Sequence, residues 1–145
     1  MNVLVSACLL GVSCRYDGKS KPHPDVVRLM EKHTLIPVCG EIMGGLPTPR
    51  TPAERQGERV VTKNGRDVTV AYQRGAEEVL RLAKLYGAAV AVLKERSPSC
   101  GSGVIYDGTF TGTFTDGYGV TAQLLRDNGI RVIGESEIDT WIKEN

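Results

Sequence analysis

At 145 residues the chain is long enough for one domain, 1–145, that buries its own core without disulfide staples. Its 18 Lys and Arg nearly balance 17 Asp and Glu, for a formal net charge of +1, so no global field draws it to nucleic acid or a bilayer. A small ligand recognised locally is the simpler expectation, with no membrane partner and no stable nucleic-acid partner. Met1-Asn2-Val3-Leu4-Val5-Ser6-Ala7 lacks the basic flank and long apolar stretch of a signal peptide, and no other run is long enough to span a membrane. This predicts a cytoplasmic protein, in which four cysteines stay reduced and point to metal binding or reactivity before disulfides.

In chain order, Val3 to Ala7 reads as a buried strand that delivers Cys8 and runs into a loop at Gly11. Asp25 to His33 has helical spacing and suits a crossover helix. Leu35 to Val38 predicts a second strand delivering Cys39, with Pro37 favouring an edge position. Gly44 to Pro52 is a loop rich in Gly and Pro. Arg59 to Val70 alternates around Asn64-Gly65, which predicts a hairpin. Ala71 to Tyr86 is an amphipathic helix stopped by Gly87. Ala88 to Leu93 is continuously apolar, as in a central parallel strand covered on both faces. Beyond it lie Cys100 and a stretch, Val104 to Asp116, that suits a second hairpin or an irregular excursion over the same rim. A helix over 119–128, a strand over 130–133 and a closing helix over 138–143 complete the pattern. Such alternation predicts an α/β fold, a three-layer α/β/α sandwich with a mostly parallel, Rossmann-like sheet and a β-hairpin insertion.

Cys8, Cys39 and Cys100 all leave predicted strands at their C-terminal ends, and in an open α/β sheet those ends share the rim where ligands bind. Taken singly, each cysteine reads as a small apolar core residue. Together, three thiolates without a matched fourth form an incomplete ligand set, which leaves a metal position open for substrate. Their spacing matches neither a zinc knuckle nor a clustered ferredoxin run. Cys14 lies in a loop and reads equally as a fourth ligand or a bystander. Glu41, two residues beyond Cys39, is placed to take a proton from water. Ser97 and Ser99 flank Pro98 before Cys100 and suit substrate orientation or local turn bonding. Arg15, Tyr16 and Asp17 after the first cysteine, and Arg50 after the second, read equally as contacts to a polar heterocycle or a phosphate and as surface turn chemistry.

Three motifs carry a resemblance. Ser6-Ala7-Cys8-Leu9-Leu10-Gly11 followed by Arg15-Tyr16-Asp17-Gly18, then Cys39-x-Glu41 with Gly44-Gly45-Leu46-Pro47-x-Pro49-Arg50, then Leu93-Lys94-x-x-Ser97-Pro98-Ser99-Cys100-Gly101 resemble the thiouracil desulfurase (TudS) family, formerly a domain of unknown function. They fall in order along essentially the whole chain. The resemblance implies a [4Fe–4S] cluster held by Cys8, Cys39 and Cys100 with one open iron, and catalytic roles for Glu41 and for Ser99 or Ser97. It also implies hydrolytic, non-redox desulfuration of 2-thiouracil or a thiouridine nucleotide to the oxo form, with release of hydrosulfide, and dependence on iron–sulfur assembly machinery. The chain departs from the family at Cys39-Gly40-Glu41, where the usual middle residue is proline; glycine there is expected to loosen the backbone between ligand and base. Two other readings fit the same residues: a sulfur-transfer protein that uses the same cluster, and a non-catalytic metal-binding module in which Cys14 completes four ligands.

Overall fold

Short apolar runs separated by amphipathic segments become, in the computed structural model of residues 1–145, eight strands and five α-helices. The strands that matter most are β1 (Asn2–Ser6), β2 (Thr34–Val38), β5 (Val90–Leu93) and β8 (Arg131–Gly134), which form one sheet in the order β2-β1-β5-β8. Every pairing in it is parallel, with Val3 set between Leu35 and Val90 and Val5 between Pro37 and Val92. Pro37 lacks an N–H and sits on the edge strand β2, as expected.

The period of two along these strands sends alternate side chains to opposite faces. Val3, Val5, Val90 and Val92 pack with Val26 of α1 (Pro24–Val27) and with Ile138 and Trp141 of α5 (Ile138–Glu144). Leu4, Ala91, Leu93 and Val132 pack on the other face with Val79 and Ala83 of α3 (Thr69–Leu85) and Ala122 and Leu125 of α4 (Val120–Asp127). Helices therefore cover both faces, giving the three-layer α/β arrangement. Each fully buried Val, Leu or Ile contributes about 1.5–3 kcal/mol of burial energy, so both helical layers are driven onto the sheet by the same effect.

Several elements differ from expectation. The segment 25–33 is one α turn, α1, followed by a 3-10 turn at Arg28–Glu31, so the crossover after β1 is short and irregular. A helical turn absent from the sequence reading, α2 (Gly40–Met43), follows Cys39 directly. The hairpin lies earlier than predicted: β3 (Ala53–Gln56) pairs antiparallel with β4 (Arg59–Thr62). Asn64-Gly65 does reverse the chain, with the Arg66 carbonyl accepting from the Thr62 N–H at 2.8 Å. Its return leg is reduced to a single bridge from Val61 to Asp67, because Asp67 is committed to starting α3. Of the two readings of Val104 to Asp116, the hairpin is the one that forms, from β6 (Ser102–Tyr106) and β7 (Phe114–Tyr118).

Candidate active site

From β1 the chain crosses to β2 on one side, then returns to β5 on the other, so the C-terminal ends of β1 and β5 flank the sheet's topological switch point. Crevices open at such points because successive connections diverge there. A cavity of about 450 Å³ opens at this rim, and all four cysteines border it. Cys8 lies in the 3-10 turn Ala7–Leu10 directly after β1, Cys39 between β2 and α2, and Cys100 at the end of the loop leaving β5. None is in a disulfide.

The Cys100 loop is fixed by polar groups on both sides. The Ser97 Oγ accepts from the N–H of Ser99 at 3.1 Å and of Cys100 at 2.7 Å, the local turn bonding expected of such a serine. At the start of α4, the N–H groups of Val120 and Thr121 donate to the carbonyls of Pro98 and Ser99 at 2.8 and 2.9 Å, so donors orphaned by the helix end clamp the loop. Gly119 makes the clamp possible, since a Cβ there would fall 2.4 Å from the Ser99 carbonyl oxygen. The Ser6 hydroxyl donates to the Cys100 Sγ at 3.5 Å and accepts from the Lys94 N–H at 2.9 Å, tying β1 to the same loop.

The two serines separate. Ser97 borders the cavity, whereas Ser99 is 1% exposed and its hydroxyl bonds to Thr121 at 2.9 Å, away from the cavity wall. Glu41 also borders the cavity. Arg50 grips its Oε2 with both Nε, at 3.0 Å, and Nη2, and both side chains are largely covered, at 7% exposure for Arg50 and 14% for Glu41. Arg50 further donates to the carbonyls of Cys14 and Pro47 at 2.9 and 3.2 Å, so one guanidinium joins the loops that follow the first and second cysteines. Glu41 Oε1 receives no hydrogen bond from the protein and stays available to a ligand.

Gly40 is buried in a close approach and is not loose. A Cβ on it would fall 2.7 Å from the Ser99 Oγ and 2.6 Å from the Thr121 Oγ1. The facing Gly75 of α3 comes closer still, its Cβ position lying 1.6 Å from the Gly40 carbonyl oxygen. The expected loosening between Cys39 and Glu41 is therefore corrected: packing holds the segment that the glycine leaves conformationally free.

The thiols of Cys14, Cys39 and Cys100 are held towards their neutral form. Burial pushes Cys100 up to about 12, with the nearby Glu41 and Cys39 adding to the rise against hydrogen bonds from Ser6 and Ser99. The hydrogen bond with Cys14, then burial, raises Cys39 further. Cys14 lies in hydrogen-bonding reach of Cys39 and Cys8; the first contact lowers it, but the second, with burial, leaves it raised. A cationic centre is what would reverse these shifts, because metal binding draws off thiol protons. No three Cys, His, Asp or Glu side chains converge on one point as a single ion requires. The thiols instead border a cavity, and an all-sulfur donor set spread around a void fits an iron–sulfur cluster, in which each iron takes its own thiolate.

Among the remaining sequence candidates, Arg15 and Tyr16 border the cavity with Arg50. Asp17 does not; it is exposed and holds Arg15 at 3.4 Å and the Lys19 N–H at 3.0 Å, shaping the loop from outside. Sequence reasoning named Lys94 only as a motif residue without a role and passed over Glu54, Tyr72 and Arg96, all on the cavity wall. Lys94 and Arg96 lie within the span of the third motif, whereas Tyr72 carried no such signal and Glu54 only its nearness to Arg50, since β3 and α3 carry no cysteine.

A model of the 2-thiouracil desulfurase family matches residues 3–137. The chain is 44% identical over 147 residues to the uncharacterized protein YbbK of Bacillus subtilis (strain 168), covering 94% of this chain and 97% of that one. It is also similar to a solved structure described as a [4Fe-4S]-dependent thiouracil desulfidase, TudS, with a TM-score of 0.88 and 49% identity over 96% of this chain and 93% of that one. With the motifs in order, the fold shared and the thiols gathered at one rim, the chain belongs to the 2-thiouracil desulfurase family.

Proposed function

We propose that the protein is a [4Fe–4S]-dependent desulfidase that converts 2-thiouracil, or a thiouridine nucleotide with the same thiocarbonyl, to the oxo form, with water supplying the oxygen and hydrosulfide leaving. The observation that carries this reading is that Cys8, Cys39 and Cys100, from three adjacent strand ends, border one cavity together with Glu41 and Ser97. These three thiolates would hold the cluster. When bound, it supplies a soft Lewis acid at an iron without a protein ligand, which polarises the C=S bond.

The chain's own groups supply the rest. Glu41, its Oε2 fixed by Arg50, presents Oε1 to take a proton from the water that attacks the thiocarbonyl carbon. The Ser97 hydroxyl accepts two backbone N–H groups, which leaves its own proton free to donate to the ring. Tyr72, raised by burial and then by the Glu41 charge, stays a neutral wall beside them. Water adds oxygen and two protons, sulfur leaves as hydrosulfide with a proton, and no net electron transfer is needed.

Anaerobically reconstituted protein should convert 2-thiouracil to uracil with one hydrosulfide released per turnover, and Cys8→Ala should lose both the visible cluster absorbance and the activity. Turnover retained in Cys8→Ala overturns the reading. Sulfur found on an added acceptor, with no free hydrosulfide, would instead support sulfur transfer. A closed site with four cysteine ligands is favoured by one observation, the place of Cys14 on the same cavity wall.

A further inference from the structure

We propose that Glu54 is a specificity-determining residue of this site, a fixed acceptor that reads a ring N–H next to the thiocarbonyl. The assignment rests on the cavity being a thiopyrimidine site. Glutamate is almost never buried unless paired, yet Glu54 on β3 is 8% exposed and forms no ion pair. What holds it is backbone. Its Oε1 accepts from the N–H of Gly108 at 2.9 Å and of Phe110 at 3.2 Å, at the tip of the β6–β7 hairpin. Phe110 has φ 59, uncommon for a residue with a side chain and sustained only where the surroundings over-determine it. The two hairpins are clasped a second time by Gln56, whose Nε2 donates to the Gly108 carbonyl at 2.9 Å.

The clasp uses one carboxylate oxygen. Oε2 receives no hydrogen bond from the protein, and the side-chain atoms that are sealed from solvent without a partner are Arg15 Nε and His23 Nδ1. Oε2 is therefore open, on a residue that is otherwise covered and that borders the thiol-lined cavity. An ionised carboxylate only accepts hydrogen bonds. In a cavity this makes it a reader of N–H donors, and a thiopyrimidine carries an N–H on the atom bonded to its thiocarbonyl carbon. Because that N–H is present in substrate and product alike, Glu54 contributes binding common to both, which appears in KM and not in kcat.

Glu54→Gln separates this role from the clasp, since its amide oxygen keeps the bonds from Gly108 and Phe110 while its NH₂ faces the cavity. With 2-thiouracil, KM should rise about ten- to hundredfold, the value of a charge-assisted hydrogen bond, with kcat nearly unchanged. Iron content and melting temperature should match wild type, and uracil binding measured by titration calorimetry should weaken by a similar factor. Wild-type protein should also discriminate against either N1-methyl- or N3-methyl-2-thiouracil, and Glu54→Gln should lose that discrimination. A wild-type KM in Glu54→Gln, a fall in kcat at constant KM, or equal use of both methylated analogues by the wild type overturns the assignment. Iron-loaded wild-type protein that leaves 2-thiouracil untouched overturns the reading of the cavity itself, and the assignment with it.

Discussion

Arg50 shows how single side chains set this site. One guanidinium neutralises Glu41, spans the loops after Cys8 and Cys39, and leaves one Glu41 oxygen free. Arginine suits the task because its planar fork binds several acceptors at fixed angles, which a lysine cannot. Sequence spacing brought Glu41, Arg50, Ser97 and the cysteines forward because they lie beside the motifs. It could not separate Ser97 from Ser99, since one turn of loop sends the first to the cavity and the second against Thr121. Gly40 is a second case: read alone it is flexible, but in the fold a Cβ there would press on the hydroxyls of Ser99 and Thr121. Gly40→Ala should therefore destabilise the protein by about 1–3 kcal/mol, the usual cost of overpacking. Urea denaturation checks this, and an unchanged midpoint would mean that Ser99 and Thr121 yield freely.

Strands and helices with a clear apolar period were legible from the sequence, because β1, β5, α3 and α4 each bury a face whose spacing matches their geometry. The elements that misled are short and governed by other contacts. α2 exists because Gly44 and the facing Gly75 let its backbone press against α3, where a Cβ on Gly44 would lie 2.0 Å from the Ala71 carbonyl oxygen and one on Gly75 1.6 Å from the Gly40 carbonyl oxygen. The hairpin expected after Asn64-Gly65 ends early because Asp67 accepts from the Thr69 N–H at 2.9 Å and hydroxyl at 2.6 Å, which starts α3 instead. Those Thr69 bonds, with the Arg59 guanidinium at 3.0 Å, hold the Asp67 carboxyl down from 3.8 to about 2. A depressed value in the folded state means that the carboxylate adds stability above pH 3.8 and loses that contribution as pH falls through about 2. Asp67→Asn should therefore melt below wild type at neutral pH, and the difference should close as the pH approaches 2. Thermal melts across pH test this; a difference independent of pH would contradict it.

For the whole molecule, one topological fact organises the site. A four-stranded parallel sheet with the order β2-β1-β5-β8 has its switch point between β1 and β5, and the ends of β1, β2 and β5 bring together thiols far apart in the chain. The idea that scattered cysteines meet on one rim was legible from strand ends alone. The walls were not, because Glu54 and Tyr72 reach the cavity from β3 and α3, whose approach depends on packing between helices and hairpins. No helix is long and apolar enough to cross a membrane. The central claim is that Cys8, Cys39 and Cys100 hold the cluster while Cys14, on the same wall, does not. Iron and acid-labile sulfide per chain, measured after anaerobic reconstitution of wild type and of the Cys8→Ala, Cys14→Ala, Cys39→Ala and Cys100→Ala variants, test it directly. The account predicts about four irons per chain, the content of a cubane cluster, in wild type and Cys14→Ala, and their loss in the other three; loss of iron in Cys14→Ala, or its retention in any of the other three, would contradict it.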